Sequence, residues 1–189
     1  EASGKIIALG EWVIREACRM LSLEENVRRL SINVSAIQFR HTDFRRRLDE
    51  IVRRAGVETK RLELEITESV LIDDDKRALK ILNELKTSGY AIALDDFGSG
   101  YTSFRQLQAL PIDYVKIDGV FIRDLTDNAD SRLFVKTMLD FIRGFGLKSV
   151  AEYVENGEIA KMLMELGVDY LQGYYLGKPS NARPWIKEL

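Results

Sequence analysis

The chain has 189 residues, which fits one domain at the usual size of roughly 100 to 200 residues, and its 46% hydrophobic content is enough for a substantial core. Lys and Arg (28) nearly balance Asp and Glu (30), so no broad basic field attracts a nucleic acid polymer. The single cysteine, Cys18, argues against a disulfide framework and favours a reducing, cytoplasmic compartment. Since no apolar stretch approaches the ~18 residues of a membrane span, we expect no membrane contact from this segment.

Segments with a 3.6-residue apolar period alternate with short apolar runs along the chain. The predicted helices are residues 9–21, 44–55, 76–87, 103–109, 131–145 and 158–166. Several end where a glycine can take the left-handed C-cap conformation without a Cβ penalty: Gly56, Gly89, Gly146 and Gly167. The runs between them are rich in Ile, Val and Leu and apolar on both faces, which indicates parallel strands covered by helices. The predicted class is α/β.

Each strand-like run ends on a residue that can bind a metal ion or move a proton. The runs are 30–32, 62–64, 91–94, 114–115, 149–151 and 169–171, and the residues that follow them are Asn33, Glu65, Asp95 with Asp96, Lys116, Glu152 and Gln172. A doubly wound sheet concentrates its site at one switch point, whereas a ring of strands offers a candidate at every strand end. The pattern therefore favours a closed (β/α) barrel over an open sheet.

Size is the difficulty for a barrel, because eight β/α units usually need about 250 residues. The chain offers six strand-like runs and opens on a helix. We therefore predict a TIM-like (β/α) barrel that is incomplete, with about six of eight strands, its first two strands having been lost. Six strands that close in another way are the alternative.

The polar strand ends favour carboxylate and metal chemistry. His41, the only histidine, lies beside Asp43 in a polar stretch and is interpreted as a surface residue, and Cys18 is interpreted as a buried, inert thiol. Carboxylate and amide oxygens prefer hard cations such as Mg²⁺ and Mn²⁺. Adjacent acids at a strand end can hold two cations about 4 Å apart, which together activate a water and stabilise a phosphoryl oxygen. Lys116 adds a fixed positive charge.

Each candidate also has a purely structural interpretation. Asp95 and Asp96 equally suit a loop with helix-capping acids, and Lys116 suits a local pair with Asp118. One of the acids beside Thr67 could be structural if Thr67 or Ser69 caps the next helix. The arginines at 45–47 and 53–54 share a predicted helix with acids, which favours a solvated face over a nucleic-acid patch.

Ordered motifs along the chain resemble those of the bacterial EAL domain. They are Ile32-Asn33-Val34-Ser35, Glu63-Leu64-Glu65-Ile66-Thr67-Glu68-Ser69, Asp95-Asp96-Phe97-Gly98-Ser99-Gly100-Tyr101, Leu110-Pro111-Ile112-Asp113-Tyr114-Val115-Lys116-Ile117-Asp118, Val150-Ala151-Glu152 and Gln172-Gly173-Tyr174. The resemblance covers residues 1–189 as one domain with its N-terminal part missing. It implies a (β/α) barrel that hydrolyses the bacterial second messenger cyclic di-GMP to linear pGpG with two Mg²⁺ or Mn²⁺ ions. The wider role implied is signalling that governs biofilm formation, motility or virulence.

The same resemblance implies metal ligands. Asn33 and Glu65 resemble ligands of the first ion, Asp95 resembles the bridging ligand, and Asp96 and Glu152 resemble ligands of the second. Asp95 and Glu152 thereby belong to the catalytic group as well as to the metal site.

The remaining residues resemble a catalytic and supporting set. Lys116 resembles the residue that positions the attacking water, and Gln172 resembles one that binds a metal-bound water or shapes the site. Glu155 resembles a residue that supports the ligands. Glu68 resembles the residue that steadies the loop running from Asp96 to Phe104, which implies a homodimer formed through that loop.

Two departures from the family pattern stand out. The glutamate of the Glu-Ala-Leu motif and its adjoining arginine belong to a strand that should precede this chain, and Glu1-Ala2-Ser3 is not that motif. Since loss of a ligand readily costs tenfold or more in metal affinity, judging by second-shell losses of about 10 to 100-fold, the chain as given could be inactive. Tyr153 and Asn156 replace the usual glycine and threonine after Glu152. The Tyr153 ring could stack on guanine or simply pack.

Two hypotheses of different classes follow. The first is a cytoplasmic, metal-dependent cyclic di-GMP phosphodiesterase, alone or as the cytoplasmic domain of a larger sensory protein, and it is favoured because every downstream ligand is intact. The second is a non-catalytic cyclic di-GMP receptor or protein-interaction module with a degenerate EAL domain. The residues that precede Glu1 in the full gene product distinguish the two.

Overall fold

The computed structural model describes residues 5–71, 75–98 and 104–180. In this part of the chain the strands are β1 (Leu30–Val34), β2 (Leu62–Thr67), β3 (Ala91–Phe97), β4 (Tyr114–Ile117), β5 (Lys148–Ala151) and β6 (Tyr170–Leu171). They form a six-stranded sheet in the order of the sequence, and β1–β2, β4–β5 and β5–β6 pair in parallel. A doubly wound sheet would reverse its strand order at a switch point, so sequential order identifies the strands of a (β/α) barrel. The predicted fold class, an incomplete barrel with six strands, is confirmed.

The helices alternate with these strands. They are α1 (Lys5–Leu23), α2 (Ala36–Phe39), α3 (Phe44–Ala55), α4 (Asp75–Thr87), α5 (Phe104–Ala109), α6 (Gly119–Ile122), α7 (Ala129–Gly144) and α8 (Gly157–Leu166), with 3₁₀ turns at Thr59–Arg61 and Glu68–Leu71. All six predicted helices are present, α3 at its predicted bounds and the others with boundaries shifted by one to four residues, although Ser103 lies outside the described residues. The sequence did not predict α2, α6 or the 3₁₀ turns, because a single turn is too short to display a 3.6-residue period.

The chain divides into two compact units within β3, between Ala93 and Leu94. In the first unit α1 and α3 flank β1 and β2, and the side chains of Leu21, Leu48 and Leu62 are fully buried. Burial of each of these side chains stabilises the fold by about 1.5–3 kcal/mol. Among the described residues, no helix is both long enough and apolar enough to cross a membrane.

The second unit contains the rest of β3, β4 to β6 and the helices from α5 onward. Its core consists of apolar side chains from β4, β5, α7 and α8, among them Val115, Ile142, Ala151 and Leu163. Phe121 of α6 contacts Phe134 of α7, with ring centroids 4.8 Å apart. These contacts hold α6 close to the carboxyl ends of the strands.

The strands differ from their predicted form in two respects. Asn33, Glu65, Asp95, Asp96 and Lys116 lie inside their strands rather than after them, because the hydrogen-bonded pairing continues beyond the apolar run. In addition, β1 alternates between buried and less buried residues, while β2 and β3 are buried almost throughout. Strands β2, β3 and β4 therefore match the expectation of burial on both faces.

Candidate active site

A buried lysine joins two carboxylates at the carboxyl ends of β3, β4 and β5. Lys116 Nζ lies 2.9 Å from Asp95 Oδ1 and 2.9 Å from Glu152 Oε1. The lysine side chain is only 5% exposed, and both carboxylates are largely buried. Taking such groups out of water costs several kcal/mol per ion, so the geometry is stable only because each charge has a partner.

Among the residues that the structure describes, negative charge exceeds positive charge at this point. One carboxylate oxygen from each of Asp95, Asp96 and Glu152 lies within 4.8 Å of the others. Burial raises the pKa of the Glu152 carboxyl above its usual value, and the charges of Asp95 and Asp96 add to this effect while Lys116 opposes it. Three clustered carboxylates are a suitable ligand set for a hard divalent cation.

The backbone conformation at Asp96 is unusual. Its φ is 56°, in the left-handed region that non-glycine residues rarely adopt, and its N–H donates to the Asp95 carboxylate at 3.1 Å. Such strain persists only where the surrounding structure enforces it, and it is concentrated at functional sites. The strand end thus separates two adjacent carboxylates so that Asp95 is buried while Asp96 is exposed.

The first unit holds its own group of predicted ligands. Asn33 of β1 and Glu65 of β2 are partners in the parallel register, so the two residues are neighbours across the sheet. Glu65 is buried, and Glu68, also buried, begins the 3₁₀ turn that follows β2. The structure thus brings together Asn33 and Glu65 in this unit, and Asp95, Asp96, Lys116 and Glu152 in the other.

A cavity of about 200 Å³ lies beside Glu152, and it is lined by Glu152, Tyr153, Glu155, Gln172, Gly173 and Tyr174. The backbone of Gln172 fixes this wall, since its N–H donates to Ala151 O at 2.8 Å and its carbonyl accepts from Val154 N at 3.1 Å. A Cβ on Gly173 would lie 2.3 Å from Val154 N, so only glycine allows this approach. Gln172 and Glu155 therefore share one cavity with Glu152, and Tyr174 is a lining residue to which the sequence had assigned no role.

Several structural alternatives are settled by these contacts. Asp95 and Asp96 belong to β3 and are not helix caps. Lys116 pairs with Asp95 and Glu152, while Asp118 caps α6 by accepting from Val120 N at 2.9 Å.

The histidine and the cysteine belong to the first unit. His41, expected at the surface, is half-buried, and its Nδ1 accepts from Asp43 N at 3.3 Å. Cys18 is completely buried, as predicted, and burial raises the pKa of its thiol.

Comparison with known proteins places this site in a family. The EAL domain family matches residues 1–179. The bifunctional diguanylate cyclase/cyclic di-GMP phosphodiesterase MucR of Pseudomonas aeruginosa is 37% identical across 100% of this chain, which covers 28% of that protein. The cyclic di-GMP phosphodiesterase PdeR of Escherichia coli is 32% identical over 96% of this chain and 28% of its own length.

Solved structures agree with the sequence comparison. The PaMucR phosphodiesterase in complex with c-di-GMP has a TM-score of 0.90 and 37% identity, covering 95% of this chain and 74% of that one. The EAL domain of Mycobacterium smegmatis DcpA has a TM-score of 0.85 and 36% identity, covering 90% of this chain and 79% of that one.

The chain belongs to the EAL domain family. It spans about a quarter of the length of curated relatives such as MucR and PdeR, 28% in each case. What those whole proteins do is therefore a proposal for this chain.

Proposed function

We propose that this chain hydrolyses cyclic di-GMP to linear pGpG, as the EAL domain of a phosphodiesterase. The observation that carries the proposal is the group of three carboxylates, Asp95, Asp96 and Glu152, with Lys116 bound between two of them. Relatives named as cyclic di-GMP phosphodiesterases support the choice of substrate. A phosphodiester is anionic, so a site with excess carboxylate needs bound cations before such a substrate can approach it.

The oxygen donors suit Mg²⁺ or Mn²⁺, and we propose two such ions. Asn33 and Glu65 would be ligands of one ion, Asp96 and Glu152 would be ligands of the other, and Asp95 would also be a ligand. When bound, such ions stabilise charge on the phosphoryl oxygens and lower the pKa of a water that attacks phosphorus. All the donor atoms are oxygens, which hard cations of this kind prefer.

Lys116 and Gln172 complete the proposed catalytic group. The Lys116 ammonium contacts the Asp95 and Glu152 carboxylates, and it would position the attacking water and offset negative charge on the phosphoryl group. Gln172 and Glu155 line the cavity beside Glu152 and would orient the ligand there. A preorganised ammonium of this kind needs no rearrangement during the reaction.

The broader setting is part of the same proposal. We place the protein in the cytoplasm, in second-messenger signalling that controls biofilm formation and motility. We also propose a homodimer through the loop from Asp96 to Phe104, steadied by Glu68, although residues 99–103 lie outside the described part of the chain.

The direct test is incubation of the protein with cyclic di-GMP and either Mg²⁺ or Mn²⁺, followed by chromatography for pGpG. We expect pGpG with either metal, none with EDTA, and none from Asp95→Ala. Asp140→Ala is the matched control, because this aspartate is 61% exposed on α7 and outside the site. The control variant should retain the activity of the unchanged chain.

A receptor is the competing outcome of the same experiment. The cavity with two tyrosines beside Glu152 could hold a purine base without turnover. Measurable binding of cyclic di-GMP by calorimetry, together with no pGpG under any metal condition from this chain or from the full-length gene product, would reject the hydrolase and leave the receptor.

A further inference from the structure

Tyr153 occupies a conformation that a tyrosine rarely adopts. Its φ is 55°, and among the described non-glycine residues only Asp96 shares a positive φ. A side chain in this left-handed region crowds the backbone, so the conformation persists only where neighbouring contacts enforce it. Tyr153 directly follows Glu152, so whatever holds the tyrosine also holds the backbone of that carboxylate.

The contacts that hold Tyr153 come from α6. A Cβ built on Gly119 would lie 2.1 Å from Tyr153 Cδ2 and 2.4 Å from its Cγ, so the ring rests directly against the glycine backbone. At the other end of α6, the Arg123 guanidinium lies 4.2 Å from the centre of the ring, as a cation–π contact. The ring is therefore docked on α6, although 48% of Tyr153 remains exposed.

The same stretch of chain also binds the Glu152 side chain. Lys116, which holds Glu152 Oε1 at 2.9 Å, lies two residues before Asp118, the N-cap of α6. Glu152 is thus fixed twice, through its carboxylate by Lys116 and through the next residue by Gly119 and Arg123. Both attachments belong to the continuous segment from β4 through α6.

We infer that Tyr153 is a positioning residue that fixes Glu152 for metal binding by docking its ring on Gly119 and Arg123. This inference rests on the proposed function, since it concerns how one ligand of that site is held. Arg123 already covers one face of the ring, and Gly119 contacts the ring beside Cβ. The contacts therefore favour docking over a role as a stacking platform for a guanine base.

The test measures Mn²⁺ affinity by calorimetry on the metal-free chain. Tyr153→Ala should lower the affinity about tenfold, the size of loss usual when a group supporting a ligand is removed. Tyr153→Phe should keep the affinity within about twofold, because the ring rather than the hydroxyl makes the contacts. A ring-independent role for Tyr153 would instead give equal affinities for the two variants.

Gly119→Ala disrupts the contact between Gly119 and the Tyr153 ring by a change at the glycine. Alanine favours a helix more than glycine does, so a loss of Mn²⁺ affinity in this variant reports the clash with the ring. In the Tyr153→Ala background the same substitution should cost less, because only the Cβ of residue 153, 2.7 Å from the added Cβ, remains of the clashing side chain. Gly144→Ala on α7 is the matched control, since no described atom lies within 4 Å of its added Cβ.

The outcomes separate this inference from the proposed function. If the unchanged chain and Asp95→Ala bind Mn²⁺ equally, the metal site itself is refuted and the inference fails with it. If the unchanged chain binds Mn²⁺ and Tyr153→Ala binds it equally well, only the inference is overturned. In that case a raised KM of Tyr153→Ala for cyclic di-GMP would assign Tyr153 to stacking on a base. Should Tyr153→Ala fail to fold by circular dichroism, equal affinities for Gly119→Ala and Gly144→Ala overturn the inference.

Discussion

A lysine–carboxylate pair lies at each end of strand β5, and the two pairs differ in exposure and in charge balance. At the amino end, Lys148 Nζ lies 2.6 Å from Asp169 Oδ1, and the lysine is 57% exposed. At the carboxyl end, Glu152 meets a Lys116 that is 5% exposed and shared with Asp95. One end is open to water and balanced in charge, while the other is buried and has excess negative charge.

The pKa values express this difference. Burial by itself raises the pKa of Asp169, but Lys148 and hydrogen bonds from the Ser149 N–H and hydroxyl outweigh it and hold the pKa below the usual value. For Glu152 burial prevails, and the pKa is raised. The two carboxylates of similar chemistry therefore shift in opposite directions because the balance of burial and donors differs.

The largest expected effect comes from removal of the buried lysine. Lys116→Met leaves Asp95 and Glu152 buried without their shared cation, which should lower the free energy of unfolding by about 3–5 kcal/mol in EDTA. Urea denaturation measures this loss. Since Mn²⁺ can replace part of the missing positive charge, added Mn²⁺ should stabilise the variant more than the unchanged chain. A loss below about 1 kcal/mol would mean that the carboxylates are not held as the distances indicate.

Asp96→Gly should lower the affinity for Mn²⁺ without lowering the stability of the fold. Glycine adopts the left-handed conformation without strain, which should raise the free energy of unfolding by about 1–2 kcal/mol. The greater freedom of glycine in the unfolded chain should lower it by about 0.4–1 kcal/mol. Stability in EDTA should therefore be unchanged or higher by up to about 1.6 kcal/mol, while Mn²⁺ affinity falls more than about tenfold. Calorimetry and urea denaturation on one preparation measure both. Unchanged Mn²⁺ affinity would remove Asp96 from the ligand set.

The amino end of β5 should give a smaller effect that depends on pH. Asp169→Asn removes the charge that Lys148 and Ser149 share, at a cost of about 1 kcal/mol at neutral pH. The folded pKa of Asp169 is lowered from 3.8, so its contribution is fully present above pH 3.8 and is lost as the pH falls through the lowered value. Denaturation from pH 7 down to pH 2.5 should show the two chains converging. A constant difference across that range would exclude the charge as the cause.

The smallest effect is expected at an exposed pair on α8. Lys161 Nζ lies 4.0 Å from Glu165 Oε1, and both side chains are more than two-thirds exposed. Glu165→Gln should change stability by less than about 0.5 kcal/mol, because exposed pairs in helices are screened by water and salt. This variant sets the baseline for the other three. A larger change would show that removing a charge lowers stability at any position, whether the position is exposed or buried.

The sequence predicted the fold because its elements are long enough to show a period. Helix α3 was predicted at its observed bounds, residues 44–55, where a strong apolar stripe ends at Gly56 in the left-handed conformation, φ 67°. The parallel sheet followed from apolar runs separated by such helices. Helix α6 escaped prediction because four residues cannot display a period, yet it provides the contacts of Tyr153.

The sequence predicted which residues form the site, but not which of them contact one another. Residue types at strand ends identified Asp95, Asp96, Lys116 and Glu152 as candidates, since parallel strands bring their carboxyl ends to one edge. Nothing in the local sequence distinguishes a Lys116–Asp118 pair from the observed Lys116–Asp95 pair. That choice depends on the packing of β4 between β3 and β5, a tertiary arrangement that brings Lys116 to Asp95 and Glu152.

The complete burial of Cys18 has a practical consequence. This thiol is the only one in the sequence, has no exposed surface, and has a pKa raised by its surroundings, so it should react slowly with maleimides and methanethiosulfonates. A cysteine introduced at any exposed position can therefore be labelled selectively without first replacing the native one. Pairs of spin labels or fluorophores attached in this way can report the distance between the two compact units in solution, with and without divalent cations.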